Sequence, residues 1–141
     1  MQLGIAQKIV AAALASARSH GFKPLAVVVM DARGALKAAA AEDGASLKRA
    51  EIAMGKAHGA LAMGLGSRTL AKMATERPFF VAAVTHAVGG SLIPVPGGVL
   101  VKDGAGALLG AVGISGDTSD NDEIAAMAGI AAAGCKGDPG A

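Results

Sequence analysis

The chain has no tryptophan, no tyrosine and only three phenylalanines among its 141 residues. Without aromatic platforms it lacks the means to stack bases, so single-strand nucleic-acid binding is set aside. Charge points the same way, because a formal net charge of +2 carries no basic block. One cysteine, Cys135, excludes an internal disulfide. It reads as an incidental thiol near a Gly/Pro-rich tail. No run approaches the roughly 20 apolar residues that cross a bilayer, and Lys8, Arg18 and His20 interrupt the first helix-like segment. No basic cluster followed by an apolar segment and a cleavage site opens the chain, so a cytoplasmic setting is the expectation. No phosphate-loop motif occurs, and no His-x-x-x-His pair suggests structural zinc.

What remains is rich in small residues. Hydrophobic residues make up 52%, much of them alanine, beside 21 glycines. Elements built this way pack backbone close to backbone rather than around large side chains. The length suits one domain with a single core, taken as residues 1–136, with 137–141 a poorly ordered tail. Ala/Gly-rich helices in so apolar a chain should also leave surface for a partner subunit to cover, which predicts a homo-oligomer.

Leu3, Ile5, Ala6, Ile9, Val10, Ala13, Leu14 and Ala17 keep helical spacing up to Gly21. Leu25–Met30 and Ala35–Ala41 read as strands around an Asp31-Ala32-Arg33-Gly34 turn. Ser46 is the expected cap of a long helix to Met63, with a core stripe of Ala50, Met54, Ala57 and Leu61. Ser67 is expected to cap a short helix to about Ala74. Pro78 suits the first turn of a segment from Phe79 to Val88, whose apolar residues also fit a strand but whose alanines favour helix. Val99–Val101 and Ala107–Ile114 flank a Lys102-Asp103-Gly104 turn as a hairpin. Asp120 to about Gly134 closes the order as a helix, Asp120 and Glu123 having capping-box spacing and Asp122 complementing the helix dipole. Tight hairpins and grouped helices imply α+β with an antiparallel sheet. The glycines of Gly104–Gly110 superficially mimic a dinucleotide fingerprint, but they lie in a hairpin and open no helix.

The stretch from Pro94-Val95-Pro96-Gly97-Gly98 through Gly113-Ile114-Ser115-Gly116 to Asp122-Glu123 brings backbone amides and a helix start together. Such a corner can hold an anion or the polar end of a ligand. It equally describes a capped helix with no ligand.

These motifs carry a resemblance. Val28-Val29-Met30-Asp31-Ala32-Arg33-Gly34, Asp43-Gly44-Ala45, Gly55-Lys56-Ala57, Pro96-Gly97-Gly98-Val99, Asp103-Gly104 and Gly110–Gly116 with Asp122-Glu123 together resemble the GlcG/HbpS-like haem-binding family, also seen as the C-terminal domain of PduO-type proteins. The resemblance implies a profilin-like α/β/α sandwich with a central antiparallel sheet flanked by helices. It also implies homo-oligomers, often octamers, and haem or related tetrapyrrole binding in some members. The family's frequent Arg two residues before the Asp-Gly-Ala turn is Ala41 here, followed by Glu42.

No single axial ligand transfers from the family, so the side chains are weighed separately. Haem iron accepts His, Met, Cys or Tyr, which makes His86, His58 and His20 the candidates, His86 first because it precedes the Gly-rich hairpin. Glu51 and His58 share one stripe of the long helix, and Arg49 and Lys56 another. All four also fit a solvated or subunit-facing surface. Two functions follow. One is a small-molecule binding module for haem or a tetrapyrrole, with ligand contacts at Arg49, Lys56, His86, Gly97, Gly98, Ser115 and Gly116. The alternative is an enzyme of small organic-acid catabolism, a lyase, isomerase or hydrolase, whose substrate carboxylate sits on Arg49, Lys56 or the Ser115-Gly116 amides. His86, Glu123 and Lys56 would then be its catalytic groups.

Overall fold

Two hairpins, each turned by an aspartate, frame the sheet. In this computed structural model, which describes residues 1–141, β1 (Ala26–Asp31) and β2 (Leu36–Ala41) are joined around Asp31, whose Oδ1 accepts from the Arg33 and Ala35 amides. β3 (Gly98–Lys102) and β4 (Leu108–Ser115) are joined around Asp103, whose Oδ1 accepts from Ala105 and Ala107. Side-chain carboxylates thus organise both turns locally. The hairpins meet through β1 and β4, and a short β5 (Lys136–Asp138) adds to β3. The order is β2-β1-β4-β3-β5, antiparallel throughout.

Helices cover both faces, giving the α+β, profilin-like α/β/α sandwich expected of the sequence. α1 (Leu3–His20) buries Ala6, Ile9, Ala13 and Ala17 and stops at Gly21, whose left-handed φ of 69° lets the chain turn back. With α5 (Ser119–Ala132) it packs on Val27, Val29, Val99, Val101, Val112 and Ile114. α2 (Arg49–Met63) covers the opposite face, setting Ala53, Ala57 and Ala60 on Val28, Met30, Leu100 and Ala111. α3 (Ser67–Glu76) and α4 (Pro78–Ala87) follow as a helical pair, α4 with its proline in the first turn. The helical reading of Phe79–Val88 is borne out. No helix is long and apolar enough to cross a membrane.

Small residues set the distance between α2 and the sheet. Gly98 and Gly113 are paired across β3 and β4, and both lie beneath the helix. A Cβ on Gly113 would run into the Ala53 carbonyl, and one on Gly98 into the Lys56 carbonyl. Backbone therefore rests on backbone.

Four details differ from the sequence reading. α2 begins at Arg49, and Ser46 Oγ accepts from the Arg49 guanidinium rather than capping the helix. Of the expected stripe only Ala57 is fully buried, because the close approach selects Ala53 and Ala60, while Met54 and Leu61 pack at the flank. Gly66 precedes α3 in the cap position, and the Ser67 hydroxyl turns inward to accept from the Gly98 amide at 2.7 Å. Finally, 137–141 is held. Gly137 pairs with Val101, the Arg68 amide donates to the Pro139 carbonyl, and the Ala141 amide donates to Thr69 Oγ1. A side chain at Gly137 would meet the Met127 sulfur, so glycine is what lets this segment dock.

Gly113→Ala should destabilise the fold by about 3 kcal/mol in urea unfolding, the upper range for overpacking. Gly104→Ala, whose Cβ meets nothing within 4 Å, should stay within about 0.5 kcal/mol of the parent.

Candidate functional site

Lys56 leaves α2 on its sheet-facing side and is only 2% exposed. Its Nζ donates to the Ile114 carbonyl at 2.8 Å and to Asp122 Oδ2 at 3.0 Å. Asp122 lies in the first turn of α5 and is equally buried. The pair joins helices from opposite faces of the sheet, at the ends of β3 and β4. Burial pushes the Lys56 ammonium down and the Asp122 carboxyl up from their ordinary pKa values, and their mutual attraction opposes both shifts. Gly97, at φ 114°, gives the pair its room, since a Cβ there would lie 3.0 Å from Lys56 Nζ and 3.1 Å from Asp122 Cβ.

A second aspartate extends the corner. Asp122 Oδ1 accepts from the Asp117 amide at 3.0 Å. The Asp117 carboxylate in turn accepts from the Lys23 and Thr118 amides and the Asn121 side chain. The Lys23 amide foremost, and then the other two donors, hold its pKa at about 2. α5 is capped by Thr118, whose Oγ1 accepts from the Asn121 amide. Asp120 and Glu123, expected to form a capping box, instead both bind the Arg68 guanidinium. The longer reach to α3 takes the carboxylates away from their own helix.

These contacts redistribute the predicted site residues. Lys56, Gly97, Gly98 and Ser115 are buried, so the Pro-Gly-Gly corner presents packing rather than an open ligand wall. A Cβ on Gly116 would strike the Pro24 carbonyl, so that glycine serves a close crossing. Lys56 and Glu123 are engaged in ion pairs. Arg49 keeps a half-buried guanidinium without a carboxylate partner, held by the Ser46 and Ser115 hydroxyls. His86 is exposed at the end of α4, and no ring hydrogen bond or packing joins it to Glu123 or Lys56. The acid–base set of the enzyme reading is therefore not assembled. Asp122 and Ser67 were missed as partners. Lys56 had a signal, since the alanines Ala53, Ala57 and Ala60 around it mark the face nearest the sheet.

An open groove of about 550 Å3 lies elsewhere, over the outer side of α2. It is lined by Lys48, Glu51, Ile52, Met54 and Gly55 of the helix region and by Gly89, Gly90, Ser91 and Ile93 of the segment after α4. Ile93 sits so close to α2 that a Cβ on Gly55 would overlap it, and the Ile93 amide donates to the Gly55 carbonyl. His58 stands one turn beyond Met54 and donates from Nδ1 to the carbonyl of the groove residue Ser91 at 2.7 Å. A carbonyl only accepts, so this bond sets the tautomer with the proton on Nδ1 and leaves Nε2 with its lone pair. No protein group bonds Nε2. His20, by contrast, is exposed, bonds the Ser16 carbonyl of its own helix and stacks on Phe22. Three of its nine lining residues, Ile52, Met54 and Ile93, are apolar, and its volume falls in the range of small-molecule sites. His58 stands beside this lining rather than in it, its Cδ2 edge toward the Gly34 turn, while Lys48 supplies the groove with a cation.

Removing either member of the buried ion pair strands the other. Lys56→Met and Asp122→Leu should each cost about 3–5 kcal/mol in urea unfolding, and the double variant should lose less than the sum. Strict additivity would show that the two groups are not coupled. Asp117 should shape acid stability. Its folded pKa of about 2 lies below the ordinary 3.8, so its contribution is full above about pH 4 and disappears as pH falls through 2. Between those values the melting temperature of Asp117→Asn should fall less steeply than that of the parent.

The comparisons with known proteins agree with this fold. The model of the family described as haem degrading protein HbpS-like matches residues 1–131. The structure of PduOC in complex with haem is 26% identical, with a TM-score of 0.82 over 94% of each chain. A doubly substituted HbpS from Streptomyces reticuli is 28% identical, with a TM-score of 0.78 over 93% of this chain and 85% of that one. Protein ORFY of Klebsiella pneumoniae, at 22% identity and a TM-score of 0.84 over 94% and 90% of the two chains, shares the fold. No curated protein matches the sequence. With 131 of its residues matched by the family and the same sandwich throughout, the chain belongs to the HbpS-like family.

Proposed function

We propose that this protein binds haem or a related tetrapyrrole in the groove over α2, with His58 as the iron ligand. The observation that carries the reading is the His58 imidazole. Its Nδ1–H is committed to the Ser91 carbonyl and its Nε2 is free, the arrangement in which a second hydrogen bond orients a metal-ligating histidine. Ile52, Met54 and Ile93 offer apolar contact to a macrocycle, and Lys48 offers a cation to a ligand carboxylate. Haem held there would supply an iron able to bind small ligands or exchange electrons. The protein's part is to orient the imidazole and keep water from one face of the ring. Family membership supports the ligand class, and the haem complex of PduOC is a precedent within the same fold.

The reading extends to a cytoplasmic homo-oligomer, with the octamer implied by the family resemblance as its form, working on a small molecule rather than on nucleic acid or membrane. Exposed apolar side chains support association. Leu47 is 90% exposed and Phe79 80%, on a helix α4 that buries only Val81.

Haemin titration should give a saturable Soret shift at one site per chain. His58→Ala should weaken binding at least about tenfold, the loss of one coordinating bond, while His86→Ala and His20→Ala bind as the parent does. Thermal unfolding of each variant checks that the fold is retained. Unsaturable uptake, or binding indifferent to His58, would sink the assignment.

A further inference from the structure

The two edges of the sheet are unlike. β5 is three residues long and runs into Pro139, a short and protected edge. β2 is six residues long, with no proline or glycine and four consecutive alanines, and nothing covers its outer side. Edges of that kind recruit another strand unless they are blocked.

The register shows which groups face out. The Glu42 amide donates to the Leu25 carbonyl, and the pairs Val27 with Ala40 and Val29 with Ala38 follow at two-residue intervals. Ladder hydrogen bonds in an antiparallel pair alternate. Ala38 and Ala40 therefore turn their N–H and C=O toward β1, whereas Ala39 and Ala41 turn theirs outward, where no strand meets them.

We infer that β2 pairs antiparallel with β2 of a second copy, about a two-fold axis at Ala40. Charge selects this register. Lys37 and Asp43 make no ion pair within the chain. A two-fold at Ala40 sets Ala39 against Ala41 of the other copy and brings Lys37, at the bulge of β2, toward the turn that carries the other copy's Asp43, once at each end of the seam. Opposite charges facing across strands stabilise a pair, and an isologous contact uses each twice. Alanine side chains leave nothing bulky to keep the strands apart. A shallow trough of about 330 Å3 between α1 and β2, lined by Leu3, Gln7, Val10, Ala11 and Ala38 among others, would be covered from the same side. The seam joins two five-stranded sheets into one of ten strands. It gives a specific surface to the oligomer proposed above, yet is independent of the haem reading.

A cysteine at the axis tests the register. In a Cys135→Ser background, Ala40→Cys should form a disulfide-linked dimer under mild oxidation, because the two copies of this position face each other as a close non-hydrogen-bonded pair. Ala38→Cys and Ala41→Cys should cross-link far less. Lys37→Asp should weaken the association about tenfold in a sizing or sedimentation series, by replacing two attractions with two repulsions. Adding Asp43→Lys should restore it. A monomer at micromolar concentration would overturn both this seam and the oligomer reading. An oligomer that neither cross-links at Ala40 nor responds to the charge reversal would overturn the seam alone.

Discussion

The buried pair of Lys56 and Asp122 is the constraint around which the rest is arranged. Each group has given up its hydration, and each finds compensation only in the other, the Ile114 carbonyl and the Asp117 amide. An isolated charge in that position is far costlier than an apolar side chain. Any packing that slides α2 along the sheet, or rotates α5 about its axis, separates the charges and meets that penalty. The pair thus selects one placement of each helix. It also explains why Gly97 carries no side chain, and why the strands beneath α2 carry glycine at Gly98 and Gly113. A lysine can reach Asp122 only if the helix lies almost on the sheet.

The parts of this fold legible in the sequence are those whose chemistry is local. Asp31 and Asp103 hold turns by hydrogen bonds to amides two and four residues ahead, and Gly21 ends α1 by its own backbone preference. Both hairpins and the presence of all five helices are legible from signals near in sequence. What escaped was decided by partners far along the chain. Ser67 looks like a cap until β3 brings the Gly98 amide to it, and Asp120 and Glu123 look like a capping box until α3 presents Arg68. The buried face of α2 differs from the expected stripe because hydrophobic size is the usual guide to burial, and here the contact with the sheet is made by alanines.

The candidate site was legible only as a set of equals. Three histidines stand in the sequence with nothing in their spacing to rank them. Tertiary structure separates them: one bonds its own helix, one lies in solvent on α4, and His58 alone is oriented by a carbonyl from a groove wall. The Pro-Gly-Gly corner shows the converse. Its conspicuous glycines and polar residues resemble a ligand cradle, and their use is internal, so the most recognisable motif of the chain identifies the scaffold more directly than the chemistry.

The ladder between β1 and β4 joins Ala26 to Ser115, so the middle of the sheet closes a loop containing most of the protein. Each hairpin can form early from contacts near in sequence, but the two valine-rich faces meet only after α2, α3 and α4 have been threaded between them. Long loop closure is entropically unfavourable before its contacts are made. This topology places the largest loop closure within the sheet at the docking of the second hairpin. Until it occurs, the inner edge of β1 and both faces of its strand are open to the wrong neighbour.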